Sequence, residues 1–170
     1  MLKHDIELTK FWLGKGGDPT IRIWDNLNTL DAAKRMYALS TLAVIDKDGV
    51  HAEFVKKVRL EFPLPTNDDF AGTWSNRQDG FGASSLTLSA DGTGSIAGGV
   101  MLVPLLWKEL GSDKIELAMV NPESGELIDM RMQLVYYEGA KEPTGRGRDA
   151  LPRLRAGEGD QVFYRVEEEE

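Results

Sequence analysis

The sequence predicts an α+β protein, in which a mixed helical and strand N-terminal region, residues 1–66, packs with a C-terminal antiparallel β-barrel or meander, residues 67–170. Three observations carry that expectation. At 170 residues, 41% hydrophobic and 28% charged, the chain is long enough to bury a sizeable core as one domain or two small ones. Its texture changes at Pro63-Leu64-Pro65-Thr66-Asn67-Asp68-Asp69, where two prolines and an acidic turn cluster mark a linker or a sharp corner. Beyond that point short alternating segments recur with tight turns between them, the pattern of a meander that curls into a small barrel or sandwich.

In chain order, "HDIELTKFWLG" is expected as a short helix or strand halted by Gly14, Gly16 and Gly17, and "TIRIW" as extended. "NTLDAAKRMYALSTLAVI" predicts one helix: Asn28 and Thr29 are candidate N-caps, Asp31 stands in the first turn, and Ala32, Met36, Leu39 and Ala43 share a stripe. In residues 50–62, apolar side chains occupy nearly every even position (Val50, Ala52, Phe54, Val58, Leu60, Phe62), which predicts a strand. "DKDG" at 46–49 is then the hairpin turn pairing "TLAVI" with "VHAEF". The competing pattern is a helical hairpin with Phe54, Val55, Val58 and Phe62 as its buried stripe, and the alternation is weighed above it.

After the corner, "GTWSNR" is one short strand, and "SSLTLSADGTGSIAG" is a hairpin whose Asp91-Gly92 supplies the positive φ that such turns demand. "VMLVPLLWKEL", "KIELAMV" and "LIDMRMQLVYYE" follow, separated by "GSD" and "NPESG". In the last of these Ile128, Met130, Met132, Leu134 and Tyr136 share a face, with Asp129, Arg131 and Gln133 turned to solvent. Pro104 makes "GGVMLVPLLW" a poor central strand, placing it at an edge or a barrel mouth as an exposed apolar stripe. "QVFYRVE" is the final strand, before a solvated acidic tail, Glu167 to Glu170.

Gly72-x-Trp74 followed by "LTLSADGTGSI" resembles the lipocalin-like, or calycin, barrels, over about residues 70–168. In that family the Gly-x-Trp opens the first barrel strand and a basic residue near the last strand packs across the indole; Arg165 in "VFYRVE" is placed for that role. The resemblance implies structural parts for Gly72, Trp74 and Arg165, with Trp74 plugging one end under a cation–π contact. It also implies a small apolar ligand held between Trp74, Trp107 and the face of Met130 and Met132.

Composition excludes several chemistries. The 28 acidic against 20 basic residues give a net charge of −8, which argues against nucleic-acid binding and favours basic protein partners. Without cysteine there are no disulfides, no thiolate catalysis and no Cys-based zinc site. No run approaches a membrane span and the start lacks a signal-peptide pattern, so a cytoplasmic home is expected unless a leader has been trimmed. His4 and His51 have no ligand companion at helical or strand spacing and are expected in solvent; "DKDGVHAE" lacks the ligand spacing of a calcium loop, and "GKGGD" lacks the frame of a phosphate loop. No catalytic residue, cofactor or metal is assigned, and no proton-shuttling pair emerges from the spacing of the carboxylates.

One segment stands apart. From Gly139 to Gly157 the chain holds five basic residues (Lys141, Arg146, Arg148, Arg153, Arg155) and two acidic ones, leaving 15 basic and 26 acidic residues elsewhere. A long loop of opposite sign to its protein is either a mobile surface loop or a functional lid. Arg146, Arg148, Arg153 and Arg155 are therefore the candidate partner-binding residues, able to grip carboxylates in bidentate fashion. The expected function is a non-catalytic binding protein acting on a protein partner, such as an inhibitor or immunity-type protein neutralising a toxin or enzyme; the alternative is a lipocalin-like carrier of a small apolar ligand.

Overall fold

The structure, a computed structural model, describes residues 3–24, 27–76, 84–137, 152–156 and 161–166. Four helices come first: α1 (Lys3–Gly14), α2 (Thr29–Arg35), α3 (Leu39–Ile45) and α4 (Ala52–Glu61), with a small pair of strands, β1 (Arg22–Trp24) and β2 (Leu27–Asn28), between α1 and α2. A 3₁₀ turn at Asp68–Phe70 then leads into β3 (Gly72–Ser75), β4 (Ser85–Leu88), β5 (Thr93–Gly98), β6 (Met101–Glu109), β7 (Lys114–Val120), β8 (Leu127–Tyr137), β9 (Arg153–Ala156) and β10 (Val162–Arg165). Those eight strands pair antiparallel with their sequence neighbours, and β10 returns to β3, closing the barrel. The protein is thus α+β, and every strand of its barrel has a neighbour on both sides. Among the described residues no helix is long and apolar enough to cross a membrane.

The helical half corrects two expectations. Residues 28–45 form two helices, not one, because the chain turns at Tyr37, whose φ of 52° is left-handed. Ala38 N–H donates to Ala33 O (2.8 Å) and Tyr37 N–H to Lys34 O (3.0 Å), the paired closure that satisfies the end of a helix. Glycine normally takes that position; here burial of Tyr37 edge-on to Phe54, with ring centroids 5.1 Å apart, offsets a strain of roughly 1 kcal/mol. The buried stripe is consequently Leu30, Ala33, Leu39, Leu42 and Ile45, while Met36 and Ala43 face out. Asn28 does cap α2, its side chain accepting from Asp31 N–H at 2.7 Å.

Residues 52–61 are helix α4, so the strand and the "DKDG" hairpin are overturned in favour of the helical pairing. Asp46 shapes the turn between α3 and α4: its carboxylate accepts from Val50 N–H and His51 N–H, each at 2.8 Å, just before α4 begins. Packing decides it globally. Phe54, Val55, Val58 and Phe62 meet the core, whereas Val50, Ala52 and Leu60, which the alternation would bury, are exposed. Phe62 is fully buried, with Lys108 and Arg131 each 5.2 Å over its ring.

Register places one core inside the barrel and another outside it. Trp74↔Leu86, Leu86↔Ile96 and Gly94↔Leu105 point inward with Leu117, Leu134, Leu154 and Phe163. Leu106 and Ala118 face outward, and with Val120 they pack against Leu30, Leu42, Val58 and Phe62 of the helices. Two polar clips reinforce the junction. Glu109 at the end of β6 accepts from Thr66 N–H (2.6 Å), Thr66 Oγ1 (2.8 Å) and Asn67 N–H (2.7 Å), and Arg131 on β8 pairs with Glu61 on α4 at 2.6 Å.

Pro104 sits within a barrel strand without breaking the closed sheet. It lies opposite Ser95 on β5, while the β6–β7 ladder begins only at Leu105, so residues 101–104 have a strand partner on one side only. The apolar stripe is exposed at Val100, Met101 and Leu102, and buried from Leu105 to Trp107.

Candidate functional site

One end of the barrel is sealed. Trp74 points inward, fully buried, and its indole N–H donates to Phe70 O at 3.0 Å. The Arg165 guanidinium lies over the indole face, 4.9 Å from the ring centroid, and donates to Asp69 O (3.1 Å) and Ala71 O. These bonds tie the last strand to the turn that precedes the first. Gly72 makes room for them: its φ is +133°, and a Cβ there would stand 3.0 Å from Arg165 Nη2. Phe70, Trp107 and Tyr136 complete the plug through edge-on contacts with centroids 5.8 to 6.2 Å apart. Trp107 is therefore part of the plug, fully buried, with its N–H donated to Ser89 O at 3.0 Å.

The other end is lined differently. By register Met101, Val103 and Ile96 face inward with Leu105; Met119 lies opposite Leu105, and Met132 opposite Leu117. Met101, on the inner face by its pairing row, is 66% exposed; Met130 is 61% exposed and lies in the part of β8, between Leu127 and Arg131, where the pairing register shifts. Four of the six methionines in the chain lie on β6, β7 and β8. Met130 and Met132 were expected to face Trp74 and Trp107 across a ligand, whereas both tryptophans are fully buried in the plug; Met101 and Met119, unforeseen, continue the period-two series of their own strands, 101-103-105 and 115-117-119.

Of the four candidate arginines, Arg146 and Arg148 lie outside the described residues. Arg153 and Arg155 are on strand β9, so the expected loop from 139 to 157 is interrupted by a strand. Leu154 explains the strand: it is fully buried inside the barrel opposite Tyr136 and Phe163, which turns its two arginine neighbours outward. Arg153 stacks 5.6 Å over the Tyr137 ring, and Arg155 is exposed between Val135 and Val162.

His51 departs from expectation. It is buried at the start of α4, with Nε2 3.6 Å from Asp31 Oδ1 on α2 and no hydrogen-bond partner on that nitrogen. Asp31 also lines a cleft of about 410 Å³ beside Lys34, Arg35, Phe54, Glu123 and Ser124, but His51 does not, so the imidazole sits behind the carboxylate and braces α2 against α4. Asp91, in the β4–β5 turn, accepts from Ser40 Oγ, Thr93 Oγ1 (2.5 Å) and Thr93 N–H (3.0 Å). Burial alone would raise its carboxyl, but these bonds and the nearby Arg59 hold it below the usual carboxylate range. Among the described residues no three His, Asp or Glu side chains group as metal ligands.

Comparison with known proteins finds no matching family model, no matching curated protein and no matching solved structure.

Proposed function

We propose that the chain is a binding protein on a lipocalin-like barrel, and that it takes a small apolar molecule at the methionine-lined mouth. The observation that carries this is the contrast along one inner wall. Inward residues are fully buried at the Trp74 end, and at the opposite end Met101 keeps most of its surface while on the inner face, with Met130 on β8 exposed as well. Methionine is flexible and polarizable, so such a lining adapts to ligands of irregular shape. The lipocalin-like assignment draws on Gly72, Trp74 and Arg165, whose stacking matches the geometry that the family resemblance calls for.

The test is a fluorescence titration with a hydrophobic dye and with long-chain fatty acids. Saturable binding at one site is expected, and Met130→Glu, which places a charge in the mouth without touching the plug, should weaken it about tenfold or more. No saturable response, or an unchanged affinity in Met130→Glu, would sink the proposal.

A protein partner is the second reading, of the kind an inhibitor or immunity-type protein would neutralise. What favours it is that Arg153 and Arg155 stand on an outer barrel wall away from Leu106 and Ala118, where the helices pack.

A further inference from the structure

A cleft separates α2 from the turn that joins β7 to β8. It holds about 410 Å³ and sets Asp31, Lys34 and Arg35 of α2 opposite Glu123 and Ser124 of the turn, with Phe54 of α4 as its aromatic wall. A second cleft of about 260 Å³ shares Phe54 and Gly125 with the first and is walled by Tyr37, Val58, Leu106 and Leu127. Lys57, Glu61 and Glu126 border it, and Glu61 is already paired with Arg131 at 2.6 Å. The two adjoin as one trough, charged at one end and largely apolar at the other. Both sides of the charged end are fixed. Asn121 Oδ1 accepts from Glu123 N–H (2.8 Å) and Ser124 N–H (3.2 Å), and Gly125 N–H donates to Asn121 O (2.8 Å). Gly125, at φ +71°, lies directly against α2: a Cβ there would stand 2.9 Å from Arg35 Cγ. On the helical side the Lys34 ammonium lies 5.4 Å over the Phe54 ring. Among the described residues no ion pair joins Lys34 or Arg35 to Asp31 or Glu123, so two cations and two carboxylates face one small space without neutralising one another.

We propose that this trough binds a free α-amino acid with an aliphatic side chain, at a site separate from the barrel mouth. The charges select the ligand. A simple anion at Lys34 and Arg35 is repelled by Asp31 and Glu123, a simple cation meets the reverse, and a neutral molecule covers all four groups without pairing any of them. A zwitterion satisfies both signs at once: the Arg35 fork, with Lys34 beside it, grips the carboxylate, and Asp31 and Glu123 hold the ammonium. An α-amino acid carries both charges on one carbon, which leaves its side chain to run past Phe54 toward Val58, Leu106 and Leu127. An internal residue of a peptide carries neither charge and fits less well. Arg35 Nε is buried without a hydrogen-bond partner, so the guanidinium is held partly out of water and its Nη atoms gain more from a carboxylate than an exposed arginine would. Asp31 is backed by buried His51, with Nε2 3.6 Å away, which keeps its carboxylate on the trough side of α2. Tyr37 adds an independent sign: a non-glycine residue at φ 52° is backbone strain of the kind that concentrates at binding sites, and it stands on the trough wall.

The test titrates the isotope-labelled full chain with free leucine and follows its backbone amides by NMR. Saturable shifts at Ser124 and Gly125, with an affinity of about 1 mM or tighter, are expected. Isopentylamine lacks the carboxylate, isocaproate lacks the ammonium and glycine lacks the side chain; each should bind about tenfold more weakly than leucine, or worse. Lys34→Gln and Glu123→Gln replace exposed side chains, and each should weaken leucine several-fold while the amide spectrum shows the fold unchanged. Met130→Glu, at the barrel mouth, should leave leucine binding as it is. The absence of saturable shifts in the turn overturns the proposal, and so does isopentylamine, isocaproate or glycine binding as tightly as leucine. An affinity unchanged in both Lys34→Gln and Glu123→Gln overturns it as well. Loss of leucine binding in Met130→Glu moves the ligand to the mouth, which overturns the trough and leaves the apolar mouth standing.

Discussion

The two ends of the barrel are made by the same eight strands, yet one carries a fully buried aromatic plug and the other carries exposed methionines. At the sealed end the inward residues are aromatic or branched, every indole N–H has a carbonyl, and Arg165 stitches the last strand to the turn before the first. At the other end Met101 and Met119 share the inner wall with Ile96 and Val103, and β6 starts four residues before its ladder with β7. Side-chain choice at each end decides how much of the inner wall is buried.

The sharpest way to break this contrast is at the plug. Trp74→Ala removes a fully buried indole, its hydrogen bond to Phe70 O and the surface on which Arg165 lies, and should cost about 3–5 kcal/mol. That is a large fraction of the stability of a domain of this size. Urea unfolding followed by circular dichroism measures it, and a loss below about 1 kcal/mol would mean that the closed end is not what holds the barrel shut.

A smaller effect belongs to the junction of helices and barrel. Asp91→Asn keeps the shape of the side chain but removes the charge that accepts from Ser40, Thr93 Oγ1 and Thr93 N–H, at a cost of about 1–3 kcal/mol. Because the folded state holds Asp91 below the ordinary carboxylate value, its contribution is fully present above the unfolded value, near pH 3.9, and disappears as pH falls through the lower folded value. The stability gap between wild type and Asp91→Asn should therefore be constant from about pH 5 to 7 and shrink below about pH 4. A gap independent of pH would assign the loss to packing.

How legible each half was in the sequence follows from where its punctuation lies. In the barrel, turns and strands agree: Asp91-Gly92 closes a hairpin with Gly92 at φ +76°, and alternation in β4 to β8 puts Leu86, Leu88, Leu105, Leu117 and Leu134 inside. The plug was visible because Gly72, Trp74 and Arg165 are required types at required places. The helical half hides its punctuation. Tyr37 occupies a left-handed helix end without being glycine, which joined two helices into one and shifted the expected buried stripe onto Met36 and Ala43. In α4 both periods fit the same residues, and the choice lay with tertiary packing. His51 was unreadable for a related reason: its neighbour Asp31 is brought to it by tertiary packing, with no sequence spacing to announce it.

The smallest expected change in stability is the most informative one for function. Met130→Ala truncates a side chain that is 61% exposed and should alter unfolding free energy by about 0.5 kcal/mol or less, since little packing is lost. Dye affinity should nevertheless fall several-fold, because the same methylene and thioether groups become buried only when a ligand covers them. Stability and binding are thus expected to separate at the mouth, whereas at Trp74 they are expected to fall together. If Met130→Ala instead costs as much stability as a core truncation and leaves dye binding intact, the mouth is core that the exposed surface misrepresents, and the apolar site has to be sought elsewhere on the molecule.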